Sequence, residues 1–207
     1  MVPEPSGRVV HRIATDTFRE SLSLLGVASR TAFLEPGIYS VRSLRFFWTV
    51  PREPTAMMYL PEVHEFFAKS VPTLPDAAAA RRVLILRDPA HDPRLTGDEV
   101  ELIRRMAYDF EPITFDFMTA KEQTSVMRSA SHVIGAHGAG LANLLYAAPG
   151  CRILEITMNL AGESVLRPWF YQIAARRGLP YLHLNKGTGD LTPSRVAEAM
   201  LALRRAR

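Results

Sequence analysis

His137, in the stretch His137-Gly138-Ala139-Gly140, is the residue with the clearest chemical potential. An imidazole can donate a hydrogen bond to a phosphate oxygen or a sugar hydroxyl, and small changes in its environment can charge it near neutral pH. Gly138, Ala139 and Gly140 carry little or no side chain, so a ligand can approach the main chain closely. Asn143 follows within reach of the same place. These residue types predict an anion-binding site.

A strand and a helix must position this turn. Val133 and Ile134 are β-formers, Gly135 frees the backbone to turn, and an apolar helical pattern follows. A helix that starts here would direct its unpaired N–H groups and the positive end of its dipole at a phosphate. The glycines alone support simple close packing between strand and helix equally well.

The same alternation of strand and helix runs from residue 81 to the end of the chain. Capping boxes, Thr96 with Glu99 and Thr119 with Glu122, mark two helix starts, and Thr192 before a proline marks the last. Five strands and five helices predict an α/β, Rossmann-like parallel sheet flanked by helices, with ligands at the carboxyl edge of the strands. The predicted strands are 83–86, 113–117, 132–135, 153–156 and 181–184.

Three further polar residues belong to that edge. Arg87 and Arg94 lie in the loop after the first predicted strand, and Glu155 lies in the fourth. Arginines beside His137 suit a diphosphate, and a carboxylate suits ribose hydroxyls, so the group predicts a nucleotide diphosphate pocket. The alternatives are a salt bridge from Arg87 to a nearby aspartate and an exposed charge for Arg94. If Glu155 is buried it needs a partner, either a ligand hydroxyl or an arginine.

Composition narrows the class of protein. The 207 residues, 47% of them hydrophobic, fit one globular domain. Lysines and arginines are scattered despite a net charge of +4, so no nucleic-acid surface is expected. We expect neither a transmembrane segment nor a signal peptide, and therefore a cytoplasmic location. The histidines lack metal-ligand spacing, so no metal site is expected, and His132 and His183, within predicted strands, are expected to be hydrogen-bonded core residues. Cys151 is expected to be a core residue, and the bias to arginine and alanine hints at a bacterial source.

The prolines divide the chain. Residues 1–80 are broken by many prolines and predict an irregular N-terminal segment. Residues 81–207 form the predicted Rossmann-like domain.

The string HGAGLANLLYAAPGCRILEI, residues 137–156, resembles the central motif of glycosyltransferase family 61. The segments VLILRDPAHDPRLTGDEV and WFYQIAARRGLPYLHL extend this resemblance over roughly residues 80 to 185. The chain departs from the family at Leu86, where a serine is usual, and at Gly97, where an asparagine is usual.

The resemblance implies the nucleotide-sugar-binding C-terminal half of a GT-B enzyme, with residues 1–80 as a remnant of the acceptor-side domain and a linker. Such an enzyme transfers a sugar from a nucleotide sugar to a glycan hydroxyl, with inversion and without a metal or other cofactor, and the expected donor is UDP-linked. Bacterial surface polysaccharide assembly is the expected setting. His137 is the candidate general base, and a phosphate contact is an equal alternative for it.

Because the N-terminal segment is short, other functions of the chain stay open. The chain could be a non-catalytic nucleotide-binding or regulatory module, a packing domain, or a fragment that needs a partner for activity. An exposed sheet edge or apolar patch would favour a homo-oligomer or a partner subunit.

Overall fold

The fold was analysed in a computed structural model, which describes residues 18–31, 81–87, 95–158, 168–187 and 189–206, and the single residues 16, 38, 40, 42, 65 and 67. Its core is a five-stranded parallel sheet in the order β2-β1-β3-β4-β5. The strands are β1 (Arg81–Leu86), β2 (Glu111–Thr114), β3 (Ala130–Ala136), β4 (Arg152–Thr157) and β5 (Tyr181–Asn185). The α-helices are α1 (Gly97–Met106), α2 (Ala120–Ser129), α3 (Trp169–Arg177) and α4 (Pro193–Arg205).

Every strand is followed by a helical segment, because a parallel neighbour can be reached only by a crossover. After β3 this segment is a 3-10 helix, Ala139–Tyr146. The strand order reverses direction between β1 and β3, so the crossovers from these two strands leave to opposite sides. The predicted α/β Rossmann-like fold is confirmed, and the crevice between β1 and β3 is where such sheets bind ligands.

Two apolar layers cover the sheet. Alternate residues of one strand enter different layers, because side chains point to opposite faces: Ile153 joins one cluster and Leu154 the other. One layer includes residues from α2, the 3-10 helix and α3. The other includes residues from α1 and α4, where the predicted core positions Val196, Met200 and Leu203 are all buried.

Both predicted capping boxes are present. The Thr96 hydroxyl accepts a hydrogen bond from the Glu99 backbone N–H at 3.3 Å, and the Glu99 carboxylate accepts one from the Thr96 N–H at 2.8 Å. At the start of α2 the corresponding distances between Thr119 and Glu122 are 3.2 and 2.8 Å. These bonds satisfy N–H groups that have no partner within the helix.

Two elements differ from the prediction. The strand expected over 113–117 ends at Thr114 and passes into a 3-10 turn, Phe115–Phe117. The helix expected after the glycine turn is 3-10 in type. Its buried residues are Leu141, Leu144 and Leu145, and the first two, three residues apart, lie on one side of a 3-10 helix.

The N-terminal segment is described only in part, and the division at residue 80 stays a prediction. Residues 18–24 are helical. The Glu20 carboxylate accepts a hydrogen bond from the Ala120 N–H at 2.8 Å, at the first residue of α2. None of the described helices is both long and apolar enough to cross a membrane.

Candidate functional site

The loops after β1 and β3 leave the sheet side by side. Ile85 of β1 pairs with Gly135 of β3, and Arg87 and His137 each come two residues later. The two predicted ligand-binding residues therefore start from neighbouring positions at the carboxyl edge, on either side of the switch point. Arg87 is half-buried. Arg94, the other predicted arginine, lies outside the described residues.

The glycines of the turn have a packing role. A methyl group added at Gly140 would lie 3.1 Å from Ile85 Cγ2 and 3.3 Å from Phe115 Cδ2. One added at Gly135 would lie 3.1 Å from Leu141 Cδ2. Both contacts are tight, so glycine lets the 3-10 helix lie close against β1 and β3. The close-packing alternative therefore holds for Gly140, while phosphate contacts from Gly138, Ala139 and Gly140 stay a prediction.

His137 is bonded to the predicted carboxylate. Its Nδ1 makes a short hydrogen bond with Glu155 Oε1, and its backbone N–H donates to the Ile156 carbonyl at 2.8 Å. The hydroxyl of Tyr181, on β5, donates to Glu155 Oε2. Each carboxylate oxygen thus has a hydrogen-bond partner, which satisfies the need of a buried acid for partners.

Burial determines whether Glu155 or His137 can contact a ligand. The Glu155 side chain is 1% exposed, whereas that of His137 is 19% exposed. A ribose contact by Glu155 would require one of its internal hydrogen bonds to open, and this contact stays a prediction. His137 is the member of the pair that reaches the surface.

Aromatic rings hold the imidazole in place. The rings of Phe170 and Trp169, at the start of α3, have centroids 5.0 and 5.8 Å from that of His137. Tyr171 contacts the ring of Tyr181 at 5.6 Å. The aromatic run Trp169-Phe170-Tyr171 therefore surrounds the His137–Glu155–Tyr181 group.

These aromatic residues were not singled out from the sequence. The available signal was β4–β5 pairing, since Tyr181 pairs with Ile153, two residues before Glu155 on the same face. The expected partner of Glu155 was an arginine or a ligand hydroxyl, and the structure supplies His137 and Tyr181.

Asn143 points to a different neighbour than expected. Its side-chain amide donates to Gln123 Oε1 at 2.9 Å, and Gln123 in turn donates to the Met118 carbonyl at 2.9 Å. Asn143 thereby ties the 3-10 helix to α2 and to the turn after β2. Its predicted ligand contact stays untested.

A buried ion pair lies beside the same edge of the sheet. Lys186, directly after β5, places its Nζ 2.7 Å from both carboxylate oxygens of Glu99, and the side chains are 7% and 3% exposed. Burial alone would raise the pKa of Glu99, but the hydrogen bonds from Lys186, Thr96 and Leu191 together hold that pKa below its ordinary value. Glu99 was predicted as the capping-box partner of Thr96, and it also fastens α1 to the chain after β5.

Two further described histidines, His132 and His183, differ in burial. His132 is buried and bonded to Ser131 and Arg152, and burial followed by the charge of Arg152 lowers its pKa, as expected of a core histidine. His183 was expected in the core as well, but it is exposed and bonded to Thr157 Oγ1 at 2.6 Å. Alternation on β5 explains this, since the buried position is Leu184.

Metal ligands do not gather in the part of the chain that the structure describes: no group of three His, Cys, Asp or Glu side chains is placed to hold an ion. Cys151 is buried, as expected, and burial raises the pKa of its thiol to about 12.

A doubly wound parallel sheet with a histidine turn at its switch point defines the class, an α/β domain with the architecture of nucleotide-binding proteins. The family model described as Glycosyltransferase 61 matches residues 4–154. The chain therefore belongs to the glycosyltransferase 61 family. The match begins far upstream of the resemblance found from the sequence, so it takes in the N-terminal segment, and it ends within β4.

Two curated relatives are similar over part of the chain. A beta-1,2-xylosyltransferase of Arabidopsis thaliana is 35% identical over 83 residues, which are 40% of this chain and 15% of that protein. Beta-1,2-xylosyltransferase RCN11 of Oryza sativa subsp. japonica is 41% identical over 71 residues, 34% of this chain and 13% of that protein. The matches thus span about one seventh of each relative.

Proposed function

We propose that this chain carries the donor site of an inverting, metal-independent glycosyltransferase that moves a sugar from a nucleotide sugar to a glycan hydroxyl. The observation that carries the proposal is the family match over residues 4–154. Both plant relatives are named for beta-1,2-xylosyl transfer, so a UDP-linked pentose is the first donor to test.

The placement of Arg87 and His137 supports a diphosphate at the carboxyl edge between β1 and β3. A guanidinium makes paired hydrogen bonds to phosphate oxygens, and an imidazolium adds a second cation. In the proposed site these groups, together with Arg94 and the main chain of Gly138, Ala139 and Gly140, take the role that a divalent metal has in other transferases.

The proposed reaction is a single displacement. A general base removes the proton from the acceptor hydroxyl, and the oxygen forms a bond to the anomeric carbon. The bond from that carbon to the diphosphate breaks on the opposite side, and the nucleoside diphosphate leaves with the electron pair. His137 is proposed as the base or as a ligand of the leaving phosphate, because its ring is the partly exposed group of the site.

The proposal also covers the acceptor and the biological setting of the reaction. We propose the assembly of a bacterial surface polysaccharide as the setting, since the arginine- and alanine-rich composition hints at a bacterial source, and the cytoplasm as the location. Donor binding without transfer is the second candidate, because the matches to the two transferases cover only 40% and 34% of this chain.

Ligand-induced stabilisation tests the donor site. Thermal unfolding is followed with UDP, GDP, CMP and their sugars, UDP-xylose included. A ligand at about 100 times its Kd adds about 2.7 kcal/mol to the free energy of unfolding. We expect stabilisation by one nucleotide, and its loss in Arg87→Ala and His137→Ala. Arg81→Ala is the matched control, since Arg81 lies at the other end of β1 and pairs with exposed Glu111.

The outcomes separate the candidates. Stabilisation that survives in both site variants would move the donor site elsewhere, and none with any nucleotide would refute it. Release of nucleoside diphosphate in the presence of EDTA supports metal-independent transfer, and NMR of the product reports inversion. Nucleotide binding without any release favours the binding module.

A further inference from the structure

The buried carboxylate behind His137 has a function of its own. Glu155 lies on the face of β4 that also carries Ile153, inside an apolar layer that includes Phe170 and Ile173. An acid in such a place is costly unless its oxygens are bonded. Here one oxygen is bonded to His137 Nδ1 and the other to the Tyr181 hydroxyl.

This arrangement bears on which imidazole nitrogen carries the proton. An ionised carboxylate can only accept hydrogen bonds, so opposite an ionised Glu155 the donor is Nδ1 of His137. In the neutral ring Nε2 then has the lone pair, and in the charged ring Nε2 becomes a second donor. Because Nδ1 and Nε2 lie on different sides of the ring, the bond to Glu155 directs Nε2 away from the carboxylate.

The ring has little freedom to leave this orientation. The Ile156 carbonyl holds the His137 main chain at 2.8 Å, and two aromatic rings flank the imidazole. Tyr181 fixes the far oxygen of the carboxylate, and its own ring packs on Tyr171. Tyr181 thus fixes one oxygen of the Glu155 carboxylate, and the other oxygen fixes His137.

We propose that Glu155 and Tyr181 are positioning residues that keep His137 in the Nδ1-protonated form, with Nε2 presented to the ligand. The base role needs the Nε2 lone pair of this form, and in the phosphate role an imidazolium donates from Nε2 while the carboxylate balances its charge. The inference rests on the proposed donor site for its effect on binding, but the protonated nitrogen is a property of the unliganded chain.

The test is an NMR measurement on the full chain labelled with ¹⁵N-histidine. Two-bond ¹H–¹⁵N correlations at about pH 8, where an ordinary histidine is neutral, distinguish Nδ1–H from Nε2–H. The His137 signals are assigned by their loss in His137→Gln. In the wild-type chain we expect the Nδ1–H form.

Variants separate positioning from folding. In Glu155→Gln the amide can donate to Nδ1, so we expect the Nε2–H form to appear and nucleotide affinity to fall about tenfold, as for other groups that orient a binding residue. Tyr181→Phe should keep Nδ1–H and lower affinity less. Thr157→Val is the matched control: it removes the neighbouring bond to His183, also between β4 and β5, and should leave His137 unchanged.

Two results would overturn the proposal. One is an Nε2–H signal for His137 in the wild-type chain. The other is an Nδ1–H signal that persists in folded Glu155→Gln. Failure of the wild-type chain to bind any nucleotide would instead refute the donor site and leave the result on the protonated nitrogen standing.

Discussion

Substitution of Lys186 by methionine tests how the edge of the sheet is held together. The ammonium group contacts both oxygens of Glu99 at 2.7 Å, 87 residues away in the chain. Glu99 also accepts the N–H groups of Thr96 at 2.8 Å and Leu191 at 3.0 Å. Methionine keeps the length of the side chain and removes the charge, so the carboxylate stays buried with only its backbone donors.

The expected loss follows from two independent estimates. Removal of one partner from a buried ion pair costs about 3–5 kcal/mol. Alternatively Glu99 takes up a proton, which for an ordinary glutamate pKa of about 4.3 costs about 4 kcal/mol at pH 7. The cheaper route sets the penalty, so Lys186→Met should lose about 3–4 kcal/mol at neutral pH.

The two chains should also differ in their response to acid. In the wild type the folded pKa of Glu99 lies below its ordinary value, so its stabilisation is present above the ordinary pKa and is lost as the pH falls through the folded pKa. In the variant, proton uptake restores a neutral carboxyl. At pH 5 this uptake costs only about 1 kcal/mol, so the difference between the chains should shrink to about that value.

Urea unfolding followed by circular dichroism measures both effects, at about pH 5 and pH 7 and constant salt. Arg81→Met is the control, because Arg81 contacts Glu111 at the same 2.7 Å while the side chains are 36% and 51% exposed. That exposed pair should be worth less than about 1 kcal/mol. Equal losses in the two variants, or a Lys186→Met loss that does not change with pH, would refute the assignment of a desolvated pair.

Three further outcomes are expected. Gly140→Ala should destabilise the chain by about 1–3 kcal/mol in urea unfolding, because the methyl group meets atoms 3.1 and 3.3 Å away, whereas Gly97→Ala, with nothing within 4 Å, should be near neutral. Cys151, with its thiol pKa raised to about 12, should resist alkylation at about pH 8 until urea unfolds the chain; prompt labelling of folded protein would contradict its burial. Burial and then Arg152 lower the pKa of His132, so its stabilisation is present above about pH 6.5 and lost as the pH falls through the folded pKa. His132→Gln should therefore lose less unfolding free energy than the wild type between about pH 6.5 and pH 5, and identical slopes would contradict this assignment.

Local rules were sufficient for most of the fold. The capping boxes at Thr96 and Thr119 depend on residues three positions apart, and both were found from the sequence. Each predicted strand overlaps an observed one, because β-branched runs between turn signals are typical of buried strands. The 3-10 type of Ala139–Tyr146 could not be predicted in this way, because its buried residues Leu141, Leu144 and Leu145 have a spacing that an α-helix also gives.

Contacts between distant segments were the part that local rules could not provide. Glu155 needed a partner, but its pairing with Tyr181 depends on the register of β4 and β5. The pairing of Glu99 with Lys186 depends on where the start of α1 meets the chain after β5. These pairings are decided by packing of the whole sheet. Charge type alone therefore suggested arginines for Glu155, where the fold supplies a histidine and a tyrosine.

The contacts of the N-terminal segment connect it to the sheet domain. Glu20 accepts the Ala120 N–H at 2.8 Å, where the start of α2 has N–H groups without helical partners and a favourable dipole for an acid. Phe67 packs edge-on against Tyr146 at 6.0 Å, at the end of the 3-10 helix that follows His137. The family match also runs through this segment. Phe67 and Tyr146 pack against the apolar cluster that includes Phe170, whose ring contacts His137, so this part of the segment is fixed on the same layer of the sheet.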